Sequence, residues 1–288
     1  MFPSISNIPV SSTDPGTVEL WRALPGRHQQ QTVTVSAQLM NELHSAQSAI
    51  DFVKDQLTFG SDNQQSDFVR TGGESHRHGV AALHLRDTDF RGDNNALTKA
   101  AFQAQAGTCG EISAAVMAVL STLDLDRPIF TYAAAGGLNH QFNVIGDIRQ
   151  PGSAVVADGW PVFARSHLLD NALFVPDGAA ILDVHNPKMR PKAELEDILS
   201  VSPLSEERIT SINNSYKTPD VAKLNQLALT DDRLVQQLHG VKNLGVTYQN
   251  AENAQDLHLQ TASVEHYNAH AQPMQHTPAK KPLAPYDE

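Results

Sequence analysis

Gly107-Thr108-Cys109-Gly110-Glu111-Ile112-Ser113-Ala114-Ala115-Val116-Met117-Ala118-Val119-Leu120 is the stretch on which the fold turns. Ile112, Ala115, Val116, Val119, Leu120 and Leu123 recur at the spacing of one helix face, with Cys109 to Glu111 in the first turn. Beyond Asp126 the period changes. Ile129 to Tyr132, Gln141 to Ile145, Ala154 to Ala157 and Ala180 to Val184 read as short strands, and Gly136-Gly137 as a turn. A helix followed by sequential strands is the pattern of an α+β layer.

Upstream, Leu39, Met40, Leu43, Ala46, Ile50, Val53 and Leu57 predict a helix that Ser36 caps and Gly60 closes. Asn63 to Gly73 reads as a loop with a short turn around Phe68, Val80 to Leu85 as a short strand, and Asp87 to Asn95 as a loop. A helix over Ala96 to Gln105, capped by Asn95, leads to Gly107. Downstream, helices are expected at Phe163 to Leu169, Lys192 to Val201, Ser205 to Ser215, Pro219 to Leu229 and Asp231 to Leu238, and Asn250 to His270 is polar and weakly helical. The chain thus divides into a disordered leader (1–34) with a docking island at Leu20 to Leu24, a core (35–190), a helical extension (191–270) and a Pro-rich disordered tail (271–288).

The 288 residues suffice to bury a core, and the formal net charge of -11 argues against nucleic acid or a polybasic membrane anchor. No run approaches the ~20 apolar residues of a membrane span. The first residues lack the basic start and apolar stretch of a signal peptide, and Phe2 stands where N-myristoylation requires glycine. A single cysteine cannot form an internal disulfide, so it is either a buried small hydrophobe or a working nucleophile.

The surroundings of Cys109 favour the nucleophile. A helix start favours negative charge and so a thiolate, while Gly107 and Gly110 leave room for a substrate carbonyl beside N–H groups that can hold an oxyanion. His140 opens an apolar strand and is the expected base. Asp158, at the end of the next strand, is the expected carboxylate that orients it. Trp160 is placed to cover that pair. Each residue alone has a structural reading: a packed thiol, a satisfied core histidine, a turn former. Together, in this order and on these elements, they read as a Cys-His-Asp constellation for acyl transfer. Glu111 reads as a favourable first-turn acid.

Gly-x-Cys-Gly-Glu, then His-x-Phe-x-Val-Ile and Val-x-Asp-x-Trp, resembles the papain/transglutaminase-like thiol enzymes found among bacterial effectors and toxins. The resemblance covers roughly residues 100 to 165. It implies a papain/transglutaminase-like α+β core, a cysteine-bearing helix packed on an antiparallel sheet, with a helical C-terminal extension. It also implies Cys109, His140 and Asp158 as catalytic residues, a protein substrate of a host cell, and no cofactor or metal. Gln103, six residues before Cys109, stands where papain-like proteases carry an oxyanion glutamine; Gln105 competes for that role, and an ordinary helix residue is the other reading. Gly110 replaces the tryptophan that follows the cysteine of papain. Protease, glutamine deamidase and transglutaminase-like acyltransferase all remain open. The Ser/Pro-rich start resembles the leader of a type III secreted effector. The rival is a non-catalytic binding or adaptor protein on a degenerate thiol-enzyme fold.

Three weaker signals remain. His76 and His78, with His84 nearby, share a face if on a strand, but nothing completes a zinc site. Asp87 to Asp93, including Arg91-Gly92-Asp93, reads as a turn-rich loop without EF-hand spacing. His185, in Asp183-Val184-His185, is a reserve base.

Overall fold

The protein is an α+β fold in this computed structural model, which describes residues 16–150, 152–218, 238–250, 252, 255–258 and 261–275. It begins with β1 (Thr17–Glu19), α1 (Leu20–Ala23) and β2 (Gln31–Thr34), so the described part of the expected leader is built into the fold. Leu20 is fully buried, which explains the apolar island. α2 (Ala37–Gln56) starts as the sequence predicts: the Ser36 hydroxyl accepts the Leu39 N–H at 3.2 Å. Its apolar face buries Met40, Leu43, Ala46, Ala49, Ile50 and Val53.

The next segment departs from expectation. After β3 (Gly60–Ser61), α3 (Gln65–Arg70) occupies the middle of the expected loop. α4 (Glu74–Asp87) is a helix where Val80 to Leu85 had read as a strand. The run Val80-Ala81-Ala82-Leu83-His84-Leu85 is too short for its period to decide. The Ala81, Ala82 and Leu85 face is buried with Ala100, Ala104, Ile209 and Ile212 in a satellite cluster. α5 (Ala96–Ala104) follows, and Asn95 makes no side-chain cap; the Asp93 carboxylate instead accepts the Asn95 N–H at 2.7 Å.

β4 (Ala106–Gly107) runs parallel to β3 and delivers the chain to α6 (Cys109–Leu120). Then come β5 (Ile129–Ala134), β6 (Gln141–Ile145), β7 (Val155–Ala157), β8 (His167–Leu168) and β9 (Pro176–His185). They form one antiparallel sheet in the order β8-β7-β6-β5-β9. The helix expected over Phe163 to Leu169 is instead β8 and a 3-10 turn at Leu169–Asn171. The main core lies between α2, α6 and this sheet and includes Val116, Phe142, Val144, Ile145 and Val155.

The C-terminal third is mixed, which corrects the helical extension. α7 (Leu195–Leu199) falls within an expected helix and α8 (Glu206–Tyr216) runs one residue past the end of another, whereas residues 219–237, with most of the other two, lie outside the described residues. Asn250 to His270 is not weakly helical throughout: β10 (Val246–Asn250), β11 (Gln255–His258) and β12 (Thr261–Ser263) precede α9 (Val264–Gln275). β10 pairs in parallel with β2, and β12 antiparallel with β1, so the two ends of the described chain meet. Of the expected disordered tail, residues 276–288 lie outside the described residues.

Candidate active site

The sequence Thr108-Cys109-Gly110-Glu111 builds its own helix start. The Thr108 hydroxyl accepts the Gly110 N–H at 3.2 Å, and the Glu111 carboxylate accepts the Thr108 N–H at 3.0 Å, a reciprocal capping box. Arg86 donates to the other Glu111 oxygen at 3.0 Å. Glu111 is only 3% exposed, so its carboxylate shapes the helix start rather than facing a ligand. Cys109, the first helical residue, is therefore fixed in place. Its thiol is buried, with the Asn139 carbonyl at 3.8 Å. The Cys109 N–H has no acceptor within the helix, as at any first helical position.

β6 and β7 bring the other two residues to this point. His140 immediately precedes β6 and Asp158 immediately follows β7; Asn143 pairs with Ala157 between them. The His140 Nε2 and an Asp158 carboxylate oxygen lie 2.7 Å apart, with both side chains buried. The second Asp158 oxygen accepts the Trp160 N–H at 3.0 Å, so the carboxylate is held from both sides. With Nε2 on Asp158, the ring's Nδ1 is left, buried and without a hydrogen bond. The Cys109 side chain is the other group that acts on the ring. Burial alone would lower the His140 pKa, but the charge and hydrogen bond of Asp158, reinforced by Cys109, push it up to about 9. The imidazolium is thus the favoured form at neutral pH.

Three aromatic rings close around His140. Phe174 lies at 4.4 Å between centroids, Trp160 at 4.8 Å and Phe142 at 5.5 Å, the last nearly parallel. They pack around the buried His140–Asp158 pair. At Gly159, an added Cβ would lie 3.0 Å from Ile112 and 3.2 Å from Val116, so glycine lets the Asp158 turn press against α6.

The expected site residues do not all converge. Cys109, His140, Asp158 and Trp160 do. The Gln103 side chain makes no hydrogen bond to any of them; Gln103 sits on α5, where its carbonyl accepts the Leu204 N–H at 3.0 Å. Gln105 is the left-handed C-cap of α5, and its carbonyl takes the Phe59 N–H. The amide beside the helix start belongs to Gln141, whose Oε1 lies 3.5 Å from where a Cβ on Gly110 would be. A polar residue opening the strand, directly after the histidine, was the signal for it. Asn143 was missed as well. Fully buried, it donates to the Ser113 carbonyl at 2.8 Å and accepts from the Thr131 hydroxyl at 2.7 Å, locking β6 to α6.

His185 pairs with Ile129 at the far end of β5 from Ala133, the partner of Gln141. Four residues of strand separate those ends, about 13 Å at ~3.3 Å per residue, so His185 is not the base. The histidines of α4 disperse: His78 stacks on Phe59, His76 packs near Phe68 and His84 meets Tyr216 edge-on. Among the described residues, no group of three or more His, Cys, Asp or Glu is arranged to hold a metal ion. No helix among them is long and apolar enough to cross a membrane.

No protein-family model, curated protein or solved structure matches this chain.

Proposed function

We propose that this chain is a cysteine-dependent acyl-transfer enzyme acting on amide bonds of a protein substrate, built on a papain/transglutaminase-like core. The observation that carries the proposal is the buried His140–Asp158 pair at 2.7 Å, with the Cys109 thiol at a helix start donating to the carbonyl of Asn139, the residue before His140. A thiol nucleophile, a base and an orienting carboxylate drawn from three separate elements are the parts such chemistry needs. The thiol proton is held on the His140 imidazolium, and the sulfur attacks the amide carbonyl. The Cys109 N–H, which has no acceptor within the helix, holds the oxyanion as it develops. The imidazolium then protonates the leaving amine, and a thioester remains. Water resolves it in a protease or deamidase, an amine in a transglutaminase. A host-cell protein as substrate and delivery as a secreted effector belong to the same proposal.

One observation favours the rival, a non-catalytic binding protein on a degenerate thiol-enzyme fold: Cys109 is only 6% exposed. Intact-mass analysis of candidate partner proteins, incubated with wild type and with Cys109→Ala, tests the proposal. Fragments mean proteolysis, a small gain from amide-to-acid conversion means deamidation, and an amine adduct means transglutamination. Equal results from the two proteins reject thiol catalysis. Fast modification of Cys109 by iodoacetamide is expected of the enzyme, inertness of the binder.

A further inference from the structure

The segment Gly60 to Gln64 lies more than forty residues before Cys109 in sequence, yet it touches both sides of the site. On the nucleophile side, β3 pairs with β4, and the Ser61 hydroxyl donates to the Gly107 carbonyl at 3.0 Å, two residues before Cys109. On the other side, the indole N–H of Trp160 is shared between the Ser61 hydroxyl at 3.1 Å and Asn63 Oδ1 at 2.8 Å. Asn63 Oδ1, at 2.7 Å, is the alternative acceptor for the single Ser61 hydroxyl proton, and the buried Gln64 amide donates to the Trp160 carbonyl. The Ser61 N–H is itself anchored at 2.8 Å on Asp67, which also faces Arg70 and His270 of α9. Both ends of the Trp160 residue, its indole N–H and its carbonyl, are thus held by one short loop. The ring so held lies 4.8 Å from His140.

We infer that Ser61, Asn63 and Gln64 are positioning residues that hold Trp160 as a seal over the His140–Asp158 pair and tie that seal to the strand leading into Cys109. The consequence for catalysis rests on the thiol-enzyme proposal; the positioning itself does not. A loose indole admits water. Water screens Asp158 from His140, and the imidazole then loses the partner that keeps it charged.

The test uses the full chain in a Trp21→Phe background, so that Trp160 is the sole indole. Asn63 is exposed, so Asn63→Ala is tolerated, and Asn63→Asp restores an acceptor oxygen. Emission of Trp160 and the titration of His140, followed by NMR on histidine-labelled protein and assigned with His140→Gln, are read for each variant. Asn63→Ala combined with Ser61→Ala is expected to shift the emission to the red. It is also expected to lower the His140 midpoint by about one pH unit or more. Asn63→Asp is expected to keep both near wild type. Unchanged emission overturns the inference, and so does a red-shifted indole over an unmoved His140 midpoint. If iodoacetamide leaves wild-type Cys109 inert while these shifts occur, the enzyme proposal fails and the positioning role stands.

Discussion

Two acid–base groups beside the site, buried His140 and half-buried Asp62, respond to pH in the same direction. His140 ordinarily titrates near 6.5 and is pushed up to about 9 in the fold by Asp158 and Cys109 against the cost of burial. Its folded value lies above its unfolded one, so its stabilisation is complete below about pH 6.5 and is lost as pH rises through about 9. By linkage this amounts to about 3 kcal/mol. Urea unfolding at about pH 6 and about pH 10 should therefore show a larger loss for wild type than for His140→Gln; equal losses would refute the pairing. Asp62 is an acid whose value rises to about 7, first through burial and then through the charge of Glu111. It too is favourable when protonated, and that contribution is lost between its ordinary value near 3.8 and about 7. Asp62→Asn should thus stabilise the protein at about pH 8 by about 2 kcal/mol, less than the full linkage value because part of the side chain reaches water. No gain at that pH, or the same gain at about pH 4, would show that the fold does not raise the Asp62 carboxyl.

At the scale of elements, α6 is the piece on which the site depends. Its capping box fixes the first turn, and Asn143 fixes its distance from β6. Thr108→Ala removes one half of the box and should cost about 1 kcal/mol in denaturant unfolding. It should also slow iodoacetamide labelling of Cys109, because the helix start that favours the thiolate frays; Thr108→Ser should restore both. A Thr108→Ala protein with wild-type labelling would mean that the cap is not what places the sulfur. This helix was legible in the sequence because an apolar period and its acid at the third helical position agree. β5, β6 and β7 were legible for the same reason: each is short, apolar and bounded by turn formers, and Gln141–Ile145 was read at its observed ends. Cys109, His140 and Asp158 could then be found because strand ends and helix starts are where the chain changes direction. The Gln103 expectation rested on an offset counted along the chain. It missed because α5 ends at Ala104, the left-handed Gln105 turns the backbone, and β4 intervenes before Cys109. Spacing carries no such turn. The Ser61, Asn63 and Gln64 contacts were invisible for a related reason: they join Trp160 to a segment almost a hundred residues away.

Over the whole molecule, the same limit explains the N-terminal segment. Residues 16–34 are polar by composition, and their two strands pair with no strand near them in sequence. Their partners are β12 and β10, more than two hundred residues on, and no local period announces such pairing. The consequences reach the site. Lys54 at the end of α2 donates to the Pro161 carbonyl at 2.6 Å, just past Trp160. α9 places His266 and Tyr267 against Phe163, and His270 against Asp67, the anchor of Ser61. The N-terminal segment, the C-terminal helix and the turn after Asp158 therefore belong to one packed body, whose cluster includes Leu20, Val18, Ala262 and Tyr267. Leu20→Ala tests this directly. In a loose leader the substitution would be neutral, whereas Leu20 has no exposed surface and lies in the main core. The expected cost is about 3 kcal/mol, the loss of a buried leucine plus the cavity it leaves. In a Trp21→Phe background, unfolding followed by Trp160 emission, which reports the site, and by far-UV circular dichroism, which reports the helices, should move to lower denaturant together. A Leu20→Ala protein that unfolds like wild type, or one in which only the circular dichroism transition moves, would separate the N-terminal segment from the body that holds the site.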